Sequence, residues 1–464
     1  MTRLFGTSGV RGVFPEKVNP ELMVGAGKAV AQYFGKGSYG VGHDARTTSK
    51  ALCLALASGI MSSGSSVVDV GLVPIGVFAW SVRHLKLRGG VYVTASHNPP
   101  QYNGFKVFKE GGVEVTSEDE AGLEVAISRA TYAGWADVGG YVKVEVVDDY
   151  VRSLEGFLQI SSVRFRPRIV LDTANGPVSA VAPRVMTDMK IPNIVINGSI
   201  DGRFPGRHPE PRPDVLEPLV PLLRASGYDV MFAFDGDGDR LSIVTPRQGF
   251  VKQDRVIALF ALHVLKDRKG TVVVSVDCGN SVKKVVEGMG GRLVLHKLGK
   301  THEGLLRYGN VVLAAEPWKV IDPRWGPWID AVYQAVYIAK LMMEEGKDMD
   351  QLLLDVPNYP QARYSVTVPE ELKTDVFSDI CSALKAKAPE GAEITEIDGT
   401  RVDYEDGSWI LVRASGTEPK IRLYAESPEL SRLKQIVDEF LGMVTRSLAA
   451  RGAKPESVEG SLLP

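Results

Sequence analysis

A chain of 464 residues, 44% hydrophobic and 24% charged, is long enough for about three domains, each with its own core. Lys+Arg 54 against Asp+Glu 56 leaves a formal charge of −2, without the basic excess that nucleic acid or an acidic membrane selects. Cys53, Cys278 and Cys381 are too scattered for a metal cluster, the N-terminus lacks a signal-peptide core, and no apolar run nears a span of ~18 residues, so a reduced, cytoplasmic protein is expected.

In chain order, Gly6 Thr7 Ser8 Gly9 Val10 Arg11 Gly12 offers glycines, hydroxyls and a guanidinium. It reads equally as a flexible N-terminal turn or as part of an anion site. A strand at Tyr39 to Asp44 ends in His43 Asp44 Ala45 Arg46, for which surface ion pairing is as good an account as a functional arginine. A helix from about Ser49 to Ser62, a strand Val67 to Val70 and a further helical stretch lead to Val91 Tyr92 Val93 Thr94 Ala95 Ser96 His97 Asn98 Pro99 Pro100. That apolar run breaks at a polar cluster which two prolines keep from becoming a long helix, offering Ser96 at the mouth of a buried strand. On an extended chain neighbouring side chains face opposite ways, so Ser96 and His97 do not by themselves make a Ser-His hydrolase. Shortly after comes Lys106, either a solvated lysine or, beside a metal and an arginine, an acid/base of depressed pKa.

The same plan recurs twice. Ile169 to Asp172, a helix near Val178 to Met189, Ile194 to Asn197 and Val230 to Phe234 run into Asp235 Gly236 Asp237 Gly238 Asp239 Arg240. Val272 to Asp277, a helix from about Ser281 to Met289, Leu293 to Leu295 and Val311 to Ala315 run into Glu316 Pro317 Trp318 Lys319. Short apolar runs alternating with helices predict doubly wound parallel α/β sheets, whose ligands sit beyond the strands' carboxyl ends. The final hundred residues mix strands (Ala362 to Val368, Trp409 to Val412, Ile421 to Ala425) with helices near Val376 to Ala386 and Glu429 to Ala449, a smaller α+β domain with a loosely held tail from Ala453. The expected organisation is α/β throughout: domains at 1–150, 151–250 and 251–365 around a cleft, then an α+β domain at 366–464.

Asp235, Asp237 and Asp239, spaced by glycines, can fold round one hard divalent cation. An EF-hand is disfavoured because Arg240 and Pro246 stand where that loop needs Gly and Glu, and Mg2+ fits better. Arg413 Ala414 Ser415 Gly416 Thr417 Glu418 Pro419 follows a strand and combines an Arg fork, hydroxyls and open backbone N–H groups, a phosphate cradle or ordinary turn chemistry. Glu316 and Trp318 suit sugar hydroxyls and ring faces, with a structural Trp on Pro as the rival reading. Metal, strand-end Ser, cationic residues and a cradle together describe phosphoryl transfer, and without a P-loop the donor is expected to be Ser96 itself.

These four motifs, in this order and at this spacing, resemble the α-D-phosphohexomutase superfamily over essentially the whole chain, as do Phe5 to Gly12 and Phe204 to Pro211. The resemblance implies a phosphoserine at Ser96, with Mg2+ held by Asp235, Asp237, Asp239 and a phosphoryl oxygen. It implies interconversion of hexose 1-phosphate and hexose 6-phosphate (glucose, mannose or glucosamine) through a bisphosphorylated sugar, which also serves as activator. Lys106 would be the general acid/base, Arg11, His97 and Arg240 would assist the transferring group, Glu316, Trp318 and Lys319 would meet the sugar, and Arg413, Ser415, Gly416 and Thr417 would hold the other phosphate. Many members carry Gly-Glu-x-Ser-Gly-His in the sugar loop; here Ala315 Glu316 Pro317 Trp318 Lys319 Val320 departs from it, resembles archaeal-type members and leaves the sugar open. An aspartyl phosphatase and a non-catalytic sugar-phosphate binder are the rival readings, and a homo-oligomer is compatible with the sequence.

Overall fold

The computed structural model describes residues 4–6, 8–416 and 418–463; Thr7 and Thr417 of the predicted loops lie outside them. Four sheets follow one another along the chain. The first runs, edge to edge, Val10–Val13, Tyr102–Lys109, Gly89–Val93, Ser38–His43, Ser66–Leu72, Tyr141–Lys143. Strand Gly89–Val93 is buried along its whole length because helices cover both faces, and that is why its sequence is continuously apolar rather than alternating. The second and third sheets repeat the plan with central strands Ile169–Asp172 and Thr271–Ser275 flanked by parallel neighbours.

One expectation needs correction: the sheets are mixed, not wholly parallel. After the third strand of each unit the chain returns antiparallel, pairing Val91 with Val107, Ala233 with Ser242 and Ala315 with Val320. The connections are too short for a crossover, which needs about a dozen residues, whereas an antiparallel return can close over a few. The polar loops bearing Ser96, Asp235–Arg240 and Trp318 are therefore turns between two buried strands, held at both ends.

The fourth unit is an antiparallel sheet in the order Glu393–Thr395, Thr400–Asp403, Trp409–Ala414, Lys420–Glu426, Gln361–Thr367, Ser457–Leu463, backed by helices Lys373–Lys387 and Leu430–Ala449. Here the tail corrects the sequence reading: Ser457–Leu463 pairs with Gln361–Thr367 residue for residue and is an edge strand rather than a loose end. The three cysteines are buried and unpaired. No described helix is long and apolar enough to cross a membrane.

Candidate active site

Ser96 adopts a left-handed backbone, φ 51°. Its Oγ donates to Asp235 Oδ2 at 2.8 Å, so the first and second loops meet directly. The left-handed turn also overturns the premise that Ser96 and His97 face apart, since an extended chain was assumed: Ser96 Oγ lies 3.2 Å from His97 Nδ1. Thr94 Oγ1 sits 2.8 Å from Asp44 Oδ2 and 2.9 Å from Asp237 Oδ2, and receives the Ser96 N–H. The approach is close enough to require glycine at 236, where a Cβ would stand 2.7 Å from the Ser96 carbonyl oxygen.

The aspartate loop winds round its first member. Asp235 Oδ1 accepts the N–H groups of Gly238, Asp239 and Arg240 at 3.0–3.1 Å. One carboxylate oxygen from each of Asp235, Asp237 and Asp239 lies within 4.8 Å of the others, and Asp237 Oδ1 and Asp239 Oδ1 are buried with no hydrogen-bond partner among the described residues. Buried, unpartnered carboxylate oxygens converging on one point are what a hard divalent cation requires of its ligands. Burial and then the mutual repulsion of the carboxylates raise Asp235 well above the ordinary range and raise Asp237 as well, against the pull of Lys106. Asp239 goes the other way: burial opposes its charge, but Lys106, Lys319 and Arg240 outweigh burial and hold it well below that range.

Lys106 Nζ reaches Asp239 Oδ2 at 2.6 Å and Lys319 Nζ reaches the same oxygen at 3.1 Å. The depressed pKa expected for Lys106 is not found. Burial lowers it, but Asp239, Asp237 and Glu114 more than compensate, and the group is held above its ordinary value as an ammonium. His97 is pushed well below its usual pKa by burial and by Arg240 and Arg11, so its ring is neutral; its Nε2 faces Arg240 at 3.4 Å and Glu210 at 3.8 Å. Arg240 also hydrogen-bonds Glu210, and Arg11 Nη1 donates to Asn98 Oδ1 at 3.1 Å.

The sugar-loop residues come to the same place. Lys319 stands 3.4 Å from Glu316 Oε1, so it bridges that carboxylate and Asp239. Trp318 is left-handed, φ 72°, its N–H donated to Gln253 and its carbonyl accepting from Leu241 N. Arg240 of the second unit and Arg363 of the fourth lie against its ring, 5.1 and 5.6 Å from the centroid. The indole is thus a junction between units and not merely a Trp packed on a Pro. Arg413 and Ser415 belong to the fourth unit, where Arg413 pairs with Asp398 at 2.7 Å and the Ser415 N–H bonds Lys420 O. Asp398 also accepts the Leu298 N–H at 3.3 Å, and neighbouring Gly299 donates to Glu316 at 2.6 Å, linking cradle to sugar loop through residues that no motif announced. Gly416 is exposed, open to whatever approaches the loop.

Comparison with known proteins covers all four units. Family models for the α/β/α domains I, II and III of phosphoglucomutase/phosphomannomutase match residues 2–133, 148–249 and 252–359, and the model for the C-terminal domain matches 365–443. The chain belongs to the phosphoglucomutase/phosphomannomutase family. A phosphopentomutase of Thermococcus kodakarensis is 41% identical over 448 residues, covering 96% of this chain and 98% of its own. A probable phosphoglucosamine mutase of Methanopyrus kandleri is 38% identical over 456 residues, with the same coverage of 96% and 98%. Among solved structures, a phosphoglucomutase/phosphomannomutase family protein from Burkholderia thailandensis superposes with a TM-score of 0.85 at 28% identity, over 98% of this chain and 100% of the other. These relatives are named as mutases, and the names differ in the sugar.

Proposed function

We propose that the protein interconverts hexose 1-phosphate and hexose 6-phosphate by carrying a phosphoryl group on Ser96. The observation that supports this best is the direct bond of Ser96 Oγ to Asp235, in the same aspartate cluster whose Asp239 is bonded by Lys106. In the forward half-reaction a free sugar hydroxyl attacks the phosphorus, the bond to Ser96 Oγ breaks, and the sugar becomes a bisphosphate. Lys106, as an ammonium, protonates the departing Oγ and recovers a proton from the attacking hydroxyl. Arg11, His97 and Arg240 flank the transferring group; Glu316, Trp318 and Lys319 meet the sugar; Arg413, Ser415, Gly416 and Thr417 receive the phosphate that is not being transferred. The bisphosphate then turns over in the site and returns its other phosphoryl group to Ser96, and the same bisphosphate primes unmodified enzyme. Asp235, Asp237 and Asp239, with a phosphoryl oxygen on Ser96, would hold Mg2+, which when bound neutralises charge on the transferring group.

Peptide mass spectrometry of the purified protein is expected to find a phosphate on Ser96, and Ser96→Ala to reduce mutase turnover of hexose 1-phosphates to background. Phosphate release that persists in that variant would favour an aspartyl phosphatase instead.

A second reading keeps the chemistry and changes the sugar to a pentose phosphate. Trp318 stands where many members place a serine, braced by two guanidiniums, so the loop offers bulk in place of a hydroxyl. The relative at 41% identity is named a phosphopentomutase. Under this reading a pentose 1-phosphate has the higher kcat/KM, and Trp318→Ser moves the preference toward hexoses; equal loss on both sugars would count against it.

A further inference from the structure

From sequence, Arg46 reads equally as a functional arginine at a strand end or as half of a surface ion pair. In the structure both Arg46 and Asp44 have wholly buried side chains. The Arg46 Nε donates to Asp44 Oδ2 at 3.0 Å, Nη1 to the carbonyls of Pro99 and Tyr102 at 2.7 and 2.9 Å, and Nη2 to those of Ser96 and Asn98 at 2.8 and 2.6 Å. Every N–H of the guanidinium is used: three of the five bonds go to carbonyls of the loop that carries Ser96, and a fourth to that of Tyr102, the first residue of the strand that follows it. The turn closes only a few backbone bonds of its own, among them Tyr102 N–H to the Pro99 carbonyl, and this side chain supplies donors to these four carbonyls, the buried one of Ser96 included.

The grip extends to the metal loop. The Phe204 ring, from the second unit, lies 5.1 Å from the Arg46 guanidinium, and Gly202 brings that segment so close that a Cβ there would meet Ala45 O at 2.3 Å. The same ring stands 3.2 Å from where a Cβ on Gly236 would be. Ser96 is held in a left-handed conformation that a non-glycine residue keeps only when its surroundings over-determine it.

We infer that Arg46 is a positioning residue for the phosphoryl-carrying serine, fixing the Ser96 turn against the aspartate loop, with Phe204 closing the clamp. This rests on the reading of Ser96 as the carrier. Lysine cannot replace it, because one ammonium has three donors at a single point and cannot span four carbonyls. Neither residue touches the reacting atoms, so sugar binding is untouched while transfer suffers.

The test uses the full-length Arg46→Lys and Phe204→Leu variants. Arg46→Lys is expected to slow single-turnover phosphoryl transfer on the order of 100-fold, the cost of displacing a reacting group by about 1 Å. KM for the sugar phosphate stays at the parent value, and amide hydrogen exchange quickens at Asn98 and Tyr102, whose N–H groups close the turn. Phe204→Leu moves both readouts in the same direction by less. A parent-like kcat in Arg46→Lys, or a KM rise that accounts for the whole loss, overturns the assignment. Should Arg46→Lys not fold, parent-like transfer and exchange in Phe204→Leu overturn it. If Ser96→Ala were fully active the carrier reading would fall by itself, and the exchange data would still decide whether Arg46 holds the loop.

Discussion

Asp239 is met by two ammonium groups, from Lys106 at 2.6 Å and Lys319 at 3.1 Å, and all three side chains are buried. Losing one partner of a buried pair ordinarily costs about 3–5 kcal/mol, because the other charge is stranded. Here either lysine remains to compensate, so Lys106→Met and Lys319→Met each lose less than that in chemical denaturation, whereas the double variant loses more than the sum. Additive losses would show that the lysines do not share the carboxylate. In turnover the two separate: Lys106→Met lowers kcat by about 10²–10⁴-fold, the usual contribution of a positioned acid. At this scale the sequence exposed the residue types and hid their partners. The aspartates announce themselves by spacing and Ser96 by its place at a strand end, whereas Lys106 by itself reads first as a solvated lysine; the structure brings Ser96 to Asp235 and Lys106 to Asp239 within hydrogen-bond reach. Nothing local marks Asp398, or shows that Arg46 is buried, since both depend on which distant carbonyls or guanidiniums the fold delivers.

Helices Pro20–Tyr33 and Ser49–Ser62 lie against each other in the first unit and cross at two glycines. A Cβ on Gly59 would fall 2.2 Å from Val24 O, and one on Gly27 would fall 2.3 Å from Leu56 O. Gly59→Ala therefore forces two backbones apart, a loss on the order of 1–3 kcal/mol for overpacking a tight contact. It should appear as a lower urea midpoint with an unchanged slope; a midpoint at or above the parent's, driven by alanine's better helix propensity, would show that the helices can yield. Although Pro20–Tyr33, Gln253–Asp267 and Ala331–Glu345 went unread, helices Ser49–Ser62, Lys373–Lys387 and Leu430–Ala449 and the central strands were legible from periodicity. The antiparallel returns at Tyr102–Lys109, Leu241–Thr245 and Lys319–Ile321 were not, because a short strand after a turn has the same apolar signature whichever way it pairs. The tail was missed for a similar reason: Ser457–Leu463 is mostly exposed, and its order comes from backbone pairing that composition does not encode.

The whole molecule is three α/β units and a fourth joined so that strand-end loops face one another, and its repeated plan was readable because each unit restates the same alternation. The joint between the third and fourth units was not readable, and it carries charge. Asp254, at the start of helix Gln253–Asp267, and Glu426, at the end of a fourth-unit strand, are both bonded by the Gln361 amide, with Asp277 and Arg363 beside them. Burial, then Glu426, pushes Asp254 up from 3.8 to about 7. The folded protein thus keeps a proton that the unfolded chain releases near 3.8, and this contribution is complete below 3.8 and lost as pH rises to about 7. Lys252 nearby is pushed down to about 8 from 10.5, chiefly by burial, so between those values the folded chain holds fewer protons and stability climbs with pH. These two groups together predict a stability minimum near neutrality, between about 7 and about 8. Asp254→Asn removes the first limb and keeps the second. Its Tm matches the parent's at the acid end and exceeds it at pH 8, by the equivalent of roughly 2–4 kcal/mol. Calorimetry across the two windows decides the matter: a variant whose Tm tracks the parent's at every pH would mean that Asp254 is ionised in the folded protein and that the joint holds two full charges side by side.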